Sequence, residues 1–284
     1  YNANGELVKE FVLYKRILHA PLALSICNNR LYLIDSKTNL FTFEIRKAET
    51  GIEHFVLGEE HWVLGYYEQA KEEFTKAIKL GYDKAETYYY LGFSLYNLER
   101  YEEATKQLER AKEENPEDLD SLFQLANSLY KEEDYERAKK IYNEVLQLDP
   151  SHFGALLNLG QLHLNVGDCQ KSESVFNRAL EEKPTSREAL IGLGRVYLEK
   201  GEFKKSLEKF QEASEGVGDG RLPYYMGLLF YKKQEYNKAI SLLKKAASQG
   251  PIIKNSLYYL ALSYNSIGRG ERAMFYLEKL LEID

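Results

Sequence analysis

Apolar residues in Leu119–His152 fall at helical spacings on either side of a short polar turn. Leu122, Leu125, Ala126 and Leu129 mark one face of a first helix. Tyr135 stands at the turn, Ala138, Tyr142 and Val145 mark a second helix, and Pro150 closes the stretch. Apolar positions three and four apart line one side of a 3.6-residue helix, so the pattern predicts a pair of amphipathic helices. The same roles recur 34 residues earlier at Tyr88, Leu91, Gly92, Leu95, Tyr101, Ala104, Leu108, Ala111 and Pro116. They recur 34 residues later at Leu156, Leu159, Gly160, His163, Cys169, Ser172, Phe176, Ala179 and Pro184. A fixed period of this size predicts a stack of helix pairs, each burying its apolar face against its neighbours.

The period divides Gly51–Asp284 into stretches 51–84, 85–118, 119–152, 153–186, 187–219, 220–253 and 254–284. Each has one small residue in its first helix: Gly58, Gly92, Ala126, Gly160, Gly194, Gly227 and Ala261. Each has another in its second: Ala70, Ala104, Ala138, Ser172, Ser206, Ala239 and Ala273. Antiparallel helices pack tightly only where no large side chain separates their backbones. Leu57, Leu91, Leu125, Leu159, Leu193, Met226 and Leu260 are expected to fill the remaining space from the first helix. Phe74, Leu108, Tyr142, Phe176, Phe210, Leu243 and Leu277 are expected to do so from the second.

Residues 1–46 have a different texture. Glu6–Tyr14, Leu22–Cys27, Leu31–Ile34 and Leu40–Ile45 are short β-rich runs separated by Asn28-Asn29 and by Ser36–Asn39. Alternating runs with turn compositions between them predict a small antiparallel β meander. The run from Pro21 to Ser36, followed by LFTF, resembles one blade of an NHL-type β-propeller. One blade cannot close a propeller, so either further blades precede Tyr1 or the sheet caps the first helices. The absence of an initial Met reads as a fragment or a processed product.

The landmarks from Gly51 to Asp284 resemble the tetratricopeptide repeat, with seven copies. That resemblance implies a mainly α fold, a right-handed superhelical α-solenoid of antiparallel helix pairs. It also implies that first helices line a concave groove holding a peptide or protein segment. Two departures stand out. The first repeat carries His54 and His61 at apolar landmarks and ends on Tyr82 instead of proline. The sequence Gly216–Pro223 shortens its repeat by one residue, and Pro223 is tolerated only in a first helical turn, so a late helix start and a bend are expected there. The end at Leu281–Asp284 lacks a solvating helix, and Leu280 and Ile283 are expected to need cover, from more chain, a partner or a second copy.

Apolar residues at 44% and charged residues at 29% describe a folded chain. No apolar run reaches spanning length and no signal-peptide pattern opens the chain, so no membrane insertion is expected and the compartment stays open. A net charge of −6 argues against a phosphate-backbone binder, so no nucleic-acid partner is expected. Cys27 and Cys169 show no metal spacing; Cys169, at the Tyr135 position, reads as a small buried hydrophobe.

No catalytic motif is present, so the chain reads as a non-enzyme without cofactor or metal. GVGDG follows a helix and not a strand, which is a hinge and not a phosphate loop. His54 and His61 lie roughly 10 Å apart along a helix, too far for one metal ion. His163 holds a packing slot. Function is therefore sought in the groove that the resemblance implies. Positions 2, 5, 6, 9, 12 and 13 of each first helix would face it, and the candidates are Tyr89, Phe93, Tyr96, Phe123, Asn127, Tyr130, Asn158, Gln161, Arg195, Tyr224, Tyr231 and Tyr258. Aromatic side chains are favoured interface anchors, although some of these rings are expected to pack only between repeats. Asn127 and Asn158 match positions where the family grips a ligand's backbone; an amide both donates and accepts without selecting sequence. The basic residues of a carboxylate clamp are missing, since their places hold Phe123, Glu188 and Gly192. The expected function is an interaction scaffold for a peptide or protein segment within a larger assembly. The alternatives are a homo-oligomer formed through the C-terminal end and the regulatory arm of an enzyme.

Overall fold

The computed structural model describes residues 21–27, 30–35, 40–44, 50–214, 221–249 and 252–283. Its packing divides into two compact units, Tyr1–Asp134 and Tyr135–Asp284. The division falls inside the 119–152 repeat, between its two helices.

In the N-terminal unit, the backbones of β1 (Pro21–Cys27), β2 (Arg30–Asp35) and β3 (Leu40–Glu44) pair antiparallel in that order, with Leu24 opposite Leu33 and Leu33 opposite Phe41. The run Glu6–Tyr14 lies outside the described residues. From Thr50 the chain is helical: α1 (Gly51–Val63), α2 (Tyr67–Lys79), α3 (Ala85–Asn97), α4 (Tyr101–Glu114) and α5 (Leu119–Lys131). Thr50 opens α1 with a capping box closed by Glu53, and Asp118 caps α5 by accepting from the Ser121 amide. Helices α1 and α2 pair, as do α3 and α4, and the first helices touch in the order α1, α3, α5.

The C-terminal unit holds α6 (Tyr135–Leu148), α7 (Phe153–Asn165), α8 (Cys169–Glu182), α9 (Arg187–Glu199) and α10 (Phe203–Glu212). It continues through α11 (Arg221–Lys232), α12 (Tyr236–Gln249), α13 (Ile253–Ser266) and α14 (Gly270–Leu281). Helices α7 and α8, α9 and α10, α11 and α12, and α13 and α14 pair, and first helices α7, α9, α11 and α13 touch in succession. Gly216–Gly220, expected to bend the chain, lies outside the described residues; Pro223 stands in the first turn of α11, where a missing N–H breaks no helical bond.

Within each unit, a first-helix glycine receives a large side chain of the second helix of its repeat. A Cβ on Gly58 would sit 2.6 Å from the Phe74 ring, and one on Gly92 would sit 2.6 Å from Leu108 Cγ. Gly160, Gly194 and Gly227 stand in the same relation to Phe176, Phe210 and Leu243. Where the second small residue is serine, its hydroxyl donates to the carbonyl of the facing glycine: Ser172 Oγ to Gly160 O and Ser206 Oγ to Gly194 O, each 2.8 Å. Phe74, Phe176, Phe210, Leu108 and Leu243 are thereby shut away from water, each worth roughly 1.5–3 kcal/mol of burial. The last repeat departs from this scheme. Leu277 is 38% exposed, and Tyr276 instead stacks on Tyr264 at 5.5 Å; Ala261 already carries a Cβ where the other repeats of this unit leave a glycine notch. Cys169 is half-buried at the start of α8, not enclosed as expected, because the first residue of a helix stands at the edge of the packing.

The backbone carries the period as clearly as the side chains. Gly65, Glu99, Glu133, Gly167, Gly201, Gln234 and Gly268 all adopt positive φ, from 59° at Glu99 to 81° at Gly167. After each, the next amide bonds the carbonyl five residues back, as in Arg100 N to Leu95 O at 2.9 Å and Glu235 N to Phe230 O at 2.9 Å. This left-handed C-cap satisfies carbonyls that a helix end would otherwise strand and turns the chain back on itself within three residues.

Candidate functional site

Each unit presents its own face of first-helix side chains, most of them half-buried. In the N-terminal unit the face is built from α1, α3 and α5. Trp62 meets Tyr90 at 5.1 Å and Phe93 at 5.4 Å, both edge-on, and Tyr89 lies 5.2 Å from Tyr90 and 6.0 Å from Phe93. Edge-to-face contacts of this kind hold rings in place. Tyr90 stacks on Phe74 at 5.6 Å, so it joins consecutive repeats, and Tyr89, Tyr90, Phe93 and Tyr96 are all half-buried. Burial, reinforced by Asp120, Tyr90 and Asp118, pushes the Tyr89 hydroxyl up to about 12. Burial, Glu59, Glu86 and Asp120 raise Tyr90 as well. Both phenols remain neutral donors. Tyr96 packs edge-on against Tyr101 at 5.4 Å. On α5, Phe123 and Tyr130 are half-buried, and Asn127 Nδ2 donates to Gln124 Oε1 at 3.4 Å.

The face of the C-terminal unit, from α7, α9, α11 and α13, is a connected chain of contacts. Gln161 Nε2 donates to Asn165 Oδ1 at 2.5 Å, and Gln161 Oε1 accepts from Arg195 Nη1. The Arg195 guanidinium lies 4.8 Å from the Tyr225 ring centre. Tyr225 leads to Tyr224 at 5.1 Å, Tyr224 to Tyr259 at 6.2 Å, and Tyr259 to Tyr231 at 5.4 Å. Tyr258 borders Tyr259 at 5.3 Å and is 45% exposed. Tyr224 is buried, and burial with Tyr259 and Tyr225 nearby raises its hydroxyl to about 12 despite Arg195. Lys232 pairs with Glu199 at 3.2 Å. Asn158 is half-buried on α7.

The structure thus brings Gln161, Arg195, Tyr224, Tyr231 and Tyr258 into one network, and Tyr89, Phe93 and Trp62 into another. Asn127 and Asn158 fall in different units. Trp62, at position 12 of its first helix, and Tyr225 and Tyr259, at position 6 of theirs, belong to these networks too, so the groove positions covered them although the named candidates did not. Gly192, at the place of a clamp residue, backs the Phe176 ring, where an added Cβ would come within 2.4 Å.

His54 Nδ1 lies 2.5 Å from Glu73 Oε2. His163 is buried 4.0 Å from Asp168, and burial lowers its pKa against the pull of that carboxylate. Among the described residues no group of three His, Cys, Asp or Glu is placed to hold a metal, and no helix is long and apolar enough to cross a membrane.

Models of the tetratricopeptide repeat match residues 54–80, 85–118, 123–186, 157–216 and 255–283. The chain belongs to the tetratricopeptide-repeat family. Among solved structures, a tetratricopeptide repeat protein from Parabacteroides merdae is similar at a TM-score of 0.72 and 19% identity, over 82% of this chain and 92% of that one. The Cut9–Hcn1 hetero-tetramer of the APC/C is similar at 0.68 and 18%, over 82% of this chain and 46% of that one. YrrB, a TPR protein with an unusual peptide-binding site, is similar at 0.55 and 24%, over 65% of this chain and 92% of that one. At these identities the likeness is one of fold. No curated protein matches the chain. The family matches begin at residue 54, so they lend no support to the likeness of Pro21–Ser36 to a propeller blade. No catalytic family is among them, and the TPR solenoid is an architecture of protein–protein interaction scaffolds.

Proposed function

We propose that this TPR protein is a non-catalytic scaffold that binds a peptide or protein segment on its first-helix faces, as part of a larger assembly. The supporting observation is the bed of half-buried rings at Tyr89, Phe93 and Tyr96, fixed by Trp62 and Tyr101. Its rings are already ordered, so a ligand would immobilise few side chains on docking. Selection of an unbiased peptide library on the purified chain tests this reading. Selected peptides should lose binding to the Tyr89→Ala/Phe93→Ala/Tyr130→Ala variant at unchanged helicity; equal binding to that variant removes the face from the function.

A second reading, self-association, draws on α14 and the residues after it, where Met274, Phe275, Leu277, Leu281 and Ile283 are between 38% and 74% exposed. Patches of this kind mark contact surfaces. Light scattering decides it: a monomer at high concentration rules it out, whereas a dimer dissolved by Phe275→Glu supports it.

A further inference from the structure

The faces of the two units differ in charge, and the difference points to a ligand class. On α1, α3 and α5 the rings of Tyr89 and Tyr90 sit in the field of four carboxylates, Glu59, Glu86, Asp118 and Asp120. Asp120 acts on both rings, and Glu86 and Asp120 stand in the first turns of α3, which carries the rings, and of its neighbour α5. Asp118 is engaged in capping α5. Glu86 and Asp120 are exposed and make no hydrogen bond or ion pair with any described residue. Within these three helices the lysine is Lys131, at the far end of α5, and Lys84, directly before α3, has its ammonium over the Tyr82 ring at 4.9 Å.

We propose that this face takes a basic protein segment, one carrying at least two lysine or arginine side chains spaced along an extended or helical backbone. The proposal rests on the reading that first-helix faces bind protein segments, and it names the chemical class for one of them. An aromatic face attracts a cation through its quadrupole, and a carboxylate beside it adds direct attraction. Together they select a positively charged side chain whose alkyl stem also covers the rings. Three adjacent helices at 8–10 Å spacing span roughly 20 Å, which about six extended residues cross. A small cation would occupy only part of that width. The same field repels an acidic segment, the reverse of a carboxylate clamp.

Trp62 is the chain's only tryptophan, and it touches Phe93 in the middle of this bed, so its emission reports occupancy directly. The test titrates the full chain with three peptides of equal length whose variable positions are Lys/Arg, Gln or Glu, and with spermine, following Trp62 fluorescence and calorimetry. The expected result is binding of the Lys/Arg peptide that weakens with salt, at least tenfold tighter than the Glu peptide. Glu86→Gln/Asp120→Asn should cost it about tenfold, two exposed charge contacts of ordinary strength. Glu102→Gln/Glu114→Gln, which removes the same charge from α4, should change it less than twofold. Equal affinity for Lys/Arg and Glu peptides, or no loss in the Glu86/Asp120 variant, overturns the proposal. Spermine binding as tightly as the peptide overturns the protein-segment occupant. If library-selected peptides bind this face but are not basic, the scaffold reading stands and the basic class falls. If no peptide of any charge binds, both fall.

Discussion

Two faces built from the same structural position reach opposite electrostatic states. In the N-terminal unit, aromatic packing through Trp62 orders the rings while Glu86 and Asp120 remain uncompensated. In the C-terminal unit, the charged groups are consumed internally: Arg195 by Gln161 and Tyr225, Glu199 by Lys232. One surface keeps its charge available to a ligand, and the other uses its charge to fix its own tyrosines. The repeat sets where a side chain points, but not whether its charge is already satisfied.

The contrast can be broken at its centres. Replacing Trp62 with alanine removes the ring that braces Tyr90 and Phe93, and should cost about 3 kcal/mol. Hydrogen exchange should then rise in α1 and α3 and stay unchanged in α9 to α13; a uniform rise would mean that the rings are not locally braced. A smaller effect is expected from Arg195→Leu, which forfeits one charge-assisted hydrogen bond and one cation–π contact, about 1–2 kcal/mol. Its exchange signature should be the converse, confined to α7, α9 and α11, and protection lost in α3 instead would contradict that network. The smallest effect tests what the units share. Glu133→Gly in one unit and Gln234→Gly in the other relieve a left-handed conformation, and each should stabilise by about 0.5–1 kcal/mol after the added flexibility of glycine is paid. Calorimetry that finds a gain at one site and a loss at the other would show that the two turns are not equivalent.

Much of the fold was legible. The spacing between Gly58 and Phe74, repeated at Gly92 and Leu108 and at Gly160 and Phe176, is a packing rule written in residue size, and a notch beside a large side chain reads directly from the chain. The last copy failed at Leu277, which is left 38% exposed while its neighbour Tyr276 takes the packing place on Tyr264. The candidate site was legible only in part. Tyr89 and Tyr90 are adjacent and chemically identical, yet one borders the face and the other stacks on Phe74; a helix turns about 100° per residue, and which of two neighbours meets that ring depends on the helix behind them. Arg195 and Gln161 belong to consecutive repeats, and their contact arises only when α7 and α9 are side by side.

By itself the sequence determined the helix pairs, their period and the small residues that let them close, because those depend on local periodicity and side-chain volume. Tertiary structure alone decided which tyrosines are buried, which charges are paired and where the uncompensated carboxylates gather. Those outcomes depend on distances between residues about one repeat apart, and a distance across space is not a property of any stretch of chain.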